Sequence, residues 1–352
     1  MGEIFLADSC GEDRPEPPDL PVLSSAGFPE NFGWARQPVF SCDLSLSRSP
    51  ARRVYSADRY IVFNPTHTIV FELRDDGFFG SMTVTLVSLR GKKHGTHFFH
   101  SLLPLGSYAM PGDSRSGHVR YRRGGVLLDF AAMQGGSRII RIDIPRSGGR
   151  RGVRGELVLS EPDGGRAQSI VCNQGWQGEA GAFRYSRCSP WYTPEGVVQL
   201  GTTEIVFARG NSWAVFDWSR GSRPRADTCR WVCGCGLSGG RLVGFSIGHG
   251  SEDGADANAL FVDGKLHKLD RVSFRTPSSP QFSPWYFSEK AGHLAMEFSP
   301  QDWHRDRWQF LFHSSARRQF FGSFSGRAIL ENGREISFGN ISGFAEFAKT
   351  VF

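Results

Sequence analysis

The sequence predicts an all-β protein made of two antiparallel, lipocalin-like β-barrel or sandwich halves with little helix. Short runs of β-branched and aromatic residues recur along the chain, and 43 glycines and 19 prolines supply the turns between them. Asp-Gly and Asn-Gly pairs are typical of tight hairpins. The 29 phenylalanines are bulky strand formers that can fill a core or line an apolar cavity.

Residues 1–30 are rich in Pro, Asp and Glu and lack a regular period, so we expect an irregular leader that lies over the domain. The segment Gly-Trp-Ala-Arg-Gln-Pro follows. Trp34 and Arg36 are two residues apart and point to the same face of an extended segment, where a guanidinium can stack on a ring. The pair either closes the end of a barrel or contacts a ligand.

The first half is predicted to span residues 31–190. Its strands alternate apolar and polar residues or form short apolar runs, and turns rich in Gly and Asp separate them. We expect strands at 59–63, 68–73, 82–89, 126–130, 138–144 and 156–159.

The second half is predicted to span residues 191–352. We expect strands at 203–207, 213–217, 242–247, 259–262 and 294–298. Asp263-Gly264 suits a type I′ hairpin turn, and Asn332-Gly333 marks another hairpin. We expect a short helix at 343–352.

Composition narrows the class of protein. The net charge of +6 is modest, and no run approaches the roughly 20 apolar residues that cross a bilayer. The first residues lack a signal-peptide pattern, so we expect a soluble, cytoplasmic protein without a disulfide framework among its seven cysteines. Cys229, Cys233 and Cys235 are either thiols packed in a strand or, with His249, a metal site of unusual spacing; no metal is expected.

Residues 115–154 form an arginine-rich segment with only two aspartates, Asp129 and Asp143. It is either a solvated strand face with an Arg-Gly loop or a docking surface for an acidic protein partner. Nucleic acid is not expected, because few aromatic residues interleave and no nucleic-acid motif overlaps. The ten arginines are Arg115, Arg120, Arg122, Arg123, Arg138, Arg141, Arg146, Arg150, Arg151 and Arg154.

The stretch from Asp217 to Asp270 holds most of the unusual polar residues. Asp217 ends an apolar run, where desolvation favours the protonated acid unless Arg220 pairs with it. A protonated acid in an apolar pocket can donate the proton that hydration, cyclisation or glycosidic cleavage requires. Glu252 is a candidate second carboxylate, and His249 a candidate base. The alternative is an Asp217–Arg220 pair that only fixes a strand corner.

Further polar and aromatic residues are candidates for contact with a ligand. They are Trp34, Arg36, Trp218, Arg220, Trp231, Asp253, Asn258, Glu297 and Arg305, and Glu346 belongs to the same polar set. The sequence has no G-x-S-x-G elbow, P-loop or dinucleotide fingerprint after a strand, so no cofactor is expected.

Several motifs together resemble the DUF2804 family over roughly residues 30–348. They are the Asp-Trp-x-Arg-Gly element at 217–221, the Gly-rich acidic segment and the hairpin at 258–270, with Gly-Trp-Ala-Arg-Gln-Pro at 33–38, Phe-Gly-Ser-Phe-Ser-Gly at 321–326 and Gly-Phe-Ala-Glu at 343–346. That family has no settled activity. The resemblance implies two β-barrel halves, similar in fold to the carotenoid hydratase and tocopherol cyclase families.

Three functions follow as hypotheses. The first is binding of a small, partly apolar molecule in an aromatic-lined cavity in or beside the second half. The second is a cofactor-independent enzyme of hydratase, cyclase or glycosidase type with a buried carboxylic acid as proton donor. The third is an interaction module that uses the arginine-rich segment.

Overall fold

The computed structural model describes most of the chain and is almost all β, with about 67% of residues in strands. The described residues are 19–77, 79–89, 93–102, 108–162, 167–176, 178–179, 181–248, 257–278, 282–310 and 313–351. They contain no α-helix, only three short 3-10 turns at Leu44–Leu46, Ala51–Arg53 and Gln134–Gly136. The predicted all-β class, with two curled antiparallel half-barrel sheets, is confirmed.

The first sheet has 13 strands, and a separate parallel pair precedes it. The pair is β1 (Leu20–Pro21) and β3 (Phe40–Ser41). The strands of the first sheet are β2 (Gly33–Ala35), β4 (Val54–Phe63), β5 (His67–Asp75), β6 (Phe79–Ser88), β7 (Lys93–Leu102), β8 (His118–Arg123), β9 (Val126–Ala132), β10 (Arg138–Ile144), β11 (Val153–Ser160), β12 (Ile170–Gly175), β13 (Phe183–Leu200), β14 (Thr203–Phe207) and β15 (Trp213–Ser222).

The second sheet has nine strands in the order β19-β18-β17-β16-β24-β23-β22-β21-β20. They are β16 (Ala226–Ser238), β17 (Arg241–Ile247), β18 (Ala259–Val262), β19 (Lys265–Lys268), β20 (Val272–Arg275), β21 (Trp285–Glu289), β22 (Leu294–Phe310), β23 (His313–Ile329) and β24 (Glu335–Val351). β13 and β15 of the first sheet contact β16 of the second, which brings the two sheets face to face.

The chain passes from one sheet to the other between Ser222 and Ala226. The sequence interpretation divided the halves near residue 190, but β13 runs straight through that position and pairs with β15 in the first sheet. The aromatic, turn-rich composition around 172–192 therefore belongs to paired strands. Asp217, Trp218 and Arg220, which were expected in the second half, lie on the first sheet.

The expectation of a helix at 343–352 is wrong. Residues 343–351 form the last part of β24 and pair with β16 on one side and β23 on the other. Residues 343–346 are all buried and residues 347–351 are half-buried or exposed, so this segment lacks the simple alternation that identifies strands.

Both predicted hairpins are present. Asp263 and Gly264 join β18 to β19 with φ values of 49° and 78°, the two positive angles that a type I′ turn requires. The Asn-Gly pair lies in the five-residue connection between β23 and β24, where Gly333 has a φ of 77°.

Apolar residues form two buried clusters. The larger lies mainly on the first sheet and is rich in Val, Ile and Tyr. The smaller lies on the second sheet and contains Trp285 packed edge-on against Phe298 and Phe320. Many of the phenylalanines thus fill cores rather than line an open cavity. Among the described residues, no helix is long and apolar enough to span a membrane.

Candidate functional site

One row of the first sheet carries charged residues into the contact between the sheets. Strand pairing aligns Phe98, Thr83, Glu72, Arg59 and Asp217 across β7, β6, β5, β4 and β15. Side chains of directly paired residues lie on the same face of a sheet, so all five face the second sheet. Each strand contributes one residue because its alternation places that position on this face.

A row of the second sheet meets it. His304, Gln319, Glu346 and Trp231 are aligned across β22, β23, β24 and β16. The Trp231 ring is buried, and the Arg59 guanidinium lies 5.4 Å from its centre. Arg59 of the first sheet therefore contacts the second row directly.

The two rows join in a buried set of side chains that we call the interface network: Arg59, Glu72, Asp217, Arg317, Gln319 and Glu346. Arg59 donates to Glu72 Oε1 at 3.2 Å and to Glu346 Oε1 at 3.1 Å. Arg317 donates to Glu72 Oε2 at 2.8 Å, and Gln319 donates to Glu346 Oε2 at 2.8 Å. Both carboxylates thus have partners from both sheets.

The arginines keep both glutamates ionised. Burial by itself would raise the pKa of Glu346, but the charges of Arg59 and Arg317 outweigh it and lower that pKa below its usual value. The same balance, with Arg317 and Arg59 as the strongest opposing charges, holds the pKa of Glu72 well below its usual range. Neither glutamate is therefore a proton donor at neutral pH.

A cleft of about 410 Å³ opens between the sheets next to the interface network. Its first-sheet wall carries Phe79, Phe98 and His100, and the second-sheet wall carries Asp306 and Arg317. Phe98 lies in the same row as Glu72, so the cleft lies over the same face of the first sheet, further out than the buried ions. We call this space the inter-sheet cleft.

A histidine–aspartate contact lies at the edge of the inter-sheet cleft. His304 Nε2 is 2.6 Å from Asp306 Oδ1, and the two residues are neighbours on one face of β22. The His304 side chain is 16% exposed and that of Asp306 31%, so both can meet solvent or a small molecule. Such an imidazole–carboxylate unit can bind a polar group or transfer a proton.

The predicted Asp217–Arg220 pair is not formed. Side chains alternate along a strand, so residues three apart lie on opposite faces of β15. Asp217 lies 4.0 Å from Arg59 Nε on the face toward the second sheet. Arg220 is fully buried on the other face, where it forms a 2.8 Å ion pair with Asp58 and lies 4.2 Å from the Trp218 ring.

The face with Trp218 and Arg220 is filled rather than hollow. Arg220 donates to the carbonyl of Pro111, and Trp218 packs edge-on against Tyr185. The remaining space beside Trp218 and Asp58 measures about 10 Å³, close to the minimum for one water molecule. The aromatic residues of this face are consequently core residues in the described structure.

Trp34 and Arg36 lie where β2 meets the β18–β19 hairpin. The Arg36 guanidinium lies 5.5 Å from the Trp34 ring centre, and Lys268 lies 5.4 Å from it on the hairpin side. Arg36 also donates to the carbonyl of Leu266 and forms a 3.2 Å ion pair with Glu331. The structure does not bring this pair to the inter-sheet cleft.

Other predicted residues are also dispersed. Asn258 is buried and joins two other segments of the chain. Its side chain accepts a hydrogen bond from the Gly248 amide at 2.7 Å and donates one to the Asp270 carbonyl at 2.9 Å. Glu297 lines a shallow depression with Tyr286, away from the interface network. Arg305 is exposed on β22.

The candidates His249, Glu252 and Asp253 lie outside the described residues. Within the described part of the chain, no group of three or more His, Cys, Asp and Glu is arranged to hold a metal ion. Cys229, Cys233 and Cys235 are reduced thiols on β16, and burial raises the pKa of Cys233 and Cys235 well above the usual value.

Much of the arginine-rich segment is already neutralised or buried. Arg120 and Arg141 both contact Asp129, at 2.9 and 3.6 Å, and Arg141 also pairs with Glu156. Arg138 is buried and lies 3.8 Å from the centre of a phenylalanine ring. Several of the positive charges counted in the sequence are therefore paired with carboxylates of neighbouring strands or are buried.

Arg59, Glu72 and Arg317 were missed by the sequence analysis. A signal existed for two of them, because Arg59 directly precedes the buried run 60–63 and Glu72 lies between the buried Phe71 and Leu73. Such a buried charge needs a partner. Which partner it has depends on the packing of the second sheet, which no local pattern reveals.

Over residues 14–352 the sequence matches the family described as a domain of unknown function, DUF2804. The chain therefore belongs to the DUF2804 family, and the predicted resemblance is confirmed. No curated protein matches the sequence.

Two solved structures are similar in overall shape. Kievitone hydratase from Nectria haematococca is 10% identical with a TM-score of 0.49, and the alignment covers 96% of this chain and 97% of that one. A candidate AttH from Nitrosomonas europaea is 13% identical with a TM-score of 0.49, and the alignment covers 84% of this chain and 91% of that one.

Proposed function

We propose that this member of the DUF2804 family binds a small, partly apolar anion in the inter-sheet cleft. The observation that carries the proposal is the cleft itself, whose volume of about 410 Å³ lies within the range typical of small-molecule sites. The side chains of Phe79 and Phe98 offer apolar contact on one wall. Arg317 of the interface network also lines the cleft.

Charge balance supports an anionic ligand. Four arginines line the cleft against two aspartates, Asp76 and Asp306. Asp76 is shared, since Arg223 lies 2.7 Å and Arg74 3.4 Å from the same oxygen. Arg74 also lies 3.6 Å from Glu72, and Arg317 pairs with Glu72 at 2.8 Å. Arg307 forms no ion pair with a described carboxylate, so its guanidinium is the one that a bound carboxylate, sulfonate or phosphate would complement. The four arginines are Arg74, Arg223, Arg307 and Arg317.

The test uses 8-anilinonaphthalene-1-sulfonate, which joins apolar rings to one negative charge. We expect saturable 1:1 binding by calorimetry and fluorescence. Phe98→Ala should weaken it about tenfold, because part of a Phe contact is worth over 1 kcal/mol. Phe28→Ala is the matched control, since Phe28 is 48% exposed against 43% for Phe98 and does not line the cleft.

Equal affinity of the two variants, or an absence of saturable binding, would refute the proposal. Native mass spectrometry of freshly purified protein then identifies any molecule that co-purifies. The same molecule, added back, should compete with the dye and bind less tightly to Phe98→Ala than to Phe28→Ala.

A second candidate function is cofactor-independent proton transfer in the same cleft. The 2.6 Å contact between His304 and Asp306 favours it, because a carboxylate orients an imidazole for acid–base work. Glu72 and Glu346 are held ionised, which leaves His304 and the buried Asp217 as the groups to test. For a substrate identified by co-purification, His304→Gln or Asp217→Asn should abolish turnover and leave binding within about tenfold if that residue transfers the proton.

A further inference from the structure

The far end of the second sheet carries a row of arginines on the face that points away from the first sheet. Strand pairing aligns Arg230, Phe347, Arg318 and Arg305 across β16, β24, β23 and β22. We call Arg230, Arg318 and Arg305 the arginine row. All three side chains are exposed. Residues one position along each strand belong to the opposite face, so this row is separate from the interface network.

The arginine row lies at the border of the smaller buried cluster, which is on the same face of the second sheet. Two positions further along the strands, the same face is buried and holds Val232, Phe320 and Ala345. Phe347 covers the end of that core and stacks on Trp285 with centroids 5.2 Å apart and an interplanar angle of 18°. The arginines therefore stand on a rigid aromatic base.

The same base orders the guanidiniums. Those of Arg230 and Arg318 lie 6.0 and 5.8 Å from the centre of the Phe347 ring. A guanidinium held against a ring loses less conformational freedom when it binds a carboxylate.

The charge of the row is uncompensated within the described residues. None of its three arginines forms an ion pair with a described carboxylate, in contrast to Arg141 and Arg154 of the arginine-rich segment. Lys349, exposed on the same face of β24, adds a fourth cation. Planar guanidiniums bind carboxylates through two parallel hydrogen bonds, so the complementary surface is rich in Asp or Glu.

We propose that the arginine row docks an extended acidic segment of a partner protein. Neighbouring strands lie roughly 4.8 Å apart, so three strand spacings place the ends of the row roughly 14 Å from each other. In an extended peptide, side chains two residues apart lie on one face and are spaced by roughly 6.6 Å. Three carboxylates at alternate positions therefore span roughly 13 Å, close to the distance between the ends of the row.

The experiment measures fluorescence anisotropy of a fluorescein-labelled peptide of twelve residues that alternates Glu and Ser. The test variant replaces Arg230, Arg305 and Arg318 with Gln. The control variant replaces Arg146, Arg150 and Arg151 with Gln, which removes the same charge from exposed positions of the arginine-rich segment. Circular dichroism confirms that both variants are folded, as expected for exposed side chains.

We expect the test variant to bind the acidic peptide at least about tenfold more weakly and the control to change it less than about twofold. Arg318→Lys should fall between wild type and test variant, because an ammonium keeps the charge but not the planar fork. Equal loss in both triple variants, or no binding of the peptide, would overturn the proposal. Tighter binding of a twelve-residue oligothymidine would also overturn it in favour of nucleic acid.

Discussion

Arg59 is the residue whose replacement tests the interface network most directly. Its side chain is 7% exposed and contacts Glu72, Glu346 and Asp217 at 3.2, 3.1 and 4.0 Å. Arg59→Met keeps a long side chain at this position but removes its positive charge. Breaking a buried ion pair by removing one partner typically costs about 3–5 kcal/mol, because it leaves an uncompensated buried charge.

The structure places the expected loss near the lower end of that range. Glu72 keeps Arg317 at 2.8 Å, and Glu346 keeps Gln319 at 2.8 Å with Arg317 at 3.8 Å. We therefore expect the free energy of unfolding to fall by about 3 kcal/mol at pH 7.5. The matched control is Arg154→Met, which breaks a 3.0 Å surface pair with Asp143 and should cost under about 1 kcal/mol.

The loss should depend on pH. In the wild type the pKa of Glu346 is lower in the folded than in the unfolded protein, so its stabilisation is present above the usual carboxyl pKa and is lost as the pH falls through the folded pKa. In Arg59→Met, one of the two arginines that lower the pKa of Glu346 is missing. Burial, which raises that pKa, is then less opposed and favours the protonated carboxyl. The difference between variant and wild type should therefore be smaller at pH 5 than at pH 7.5.

Urea titration followed by tryptophan fluorescence and circular dichroism measures both effects. Arg59→Met/Glu346→Gln should recover at least about 1 kcal/mol relative to Arg59→Met, because the unpaired charge is gone. A loss under about 1 kcal/mol at pH 7.5, or one that is the same at pH 5, would refute the assignment of Arg59 as the central cation of the interface network.

Two further predictions concern packing between the sheets. Gly244→Ala should lower the free energy of unfolding by several kcal/mol, since a Cβ there would overlap the carbonyl oxygen of Pro190 on the other sheet. Gly236→Ala, whose nearest neighbour atom would be 3.5 Å away, is the control, and similar urea midpoints would contradict the close approach. In native protein, iodoacetamide at pH 8 should modify the half-buried Cys229 at least about a hundredfold faster than Cys188, because burial raises the pKa of Cys188 and hides it. Comparable rates by peptide mass mapping would show that the sheets separate.

Local sequence was sufficient for much of the fold. Apolar alternation identified strands such as β6 and β10, whose inward residues are buried. Asp263-Gly264 fixed a hairpin because few residue pairs adopt two positive φ angles without strain. These features depend on neighbours a few residues apart, and they predicted an all-β chain. The resemblance to the DUF2804 family came from separate motifs.

Prediction from the sequence failed where it considered which residues are close along the chain but not which face of a strand each one occupies. Asp217 and Arg220 looked like a pair in the sequence, but a separation of three residues places them on opposite faces of β15. Residues 343–351 looked helical because four consecutive buried residues, 343–346, are followed by half-buried and exposed ones, which gives no simple alternation. The division near residue 190 failed to match the sheets because pairing partners lie far apart along the chain.

What the sequence by itself determined is the set of strands and the hairpins that connect them. Only the tertiary structure decided which charges meet: Arg59 and Glu346 are 287 residues apart, yet their side chains form a 3.1 Å ion pair between the sheets. The physical reason is one of range. Strand and turn preferences act over a few bonds, whereas a buried ion pair and the inter-sheet cleft beside it exist only after two sheets have packed and excluded water between them.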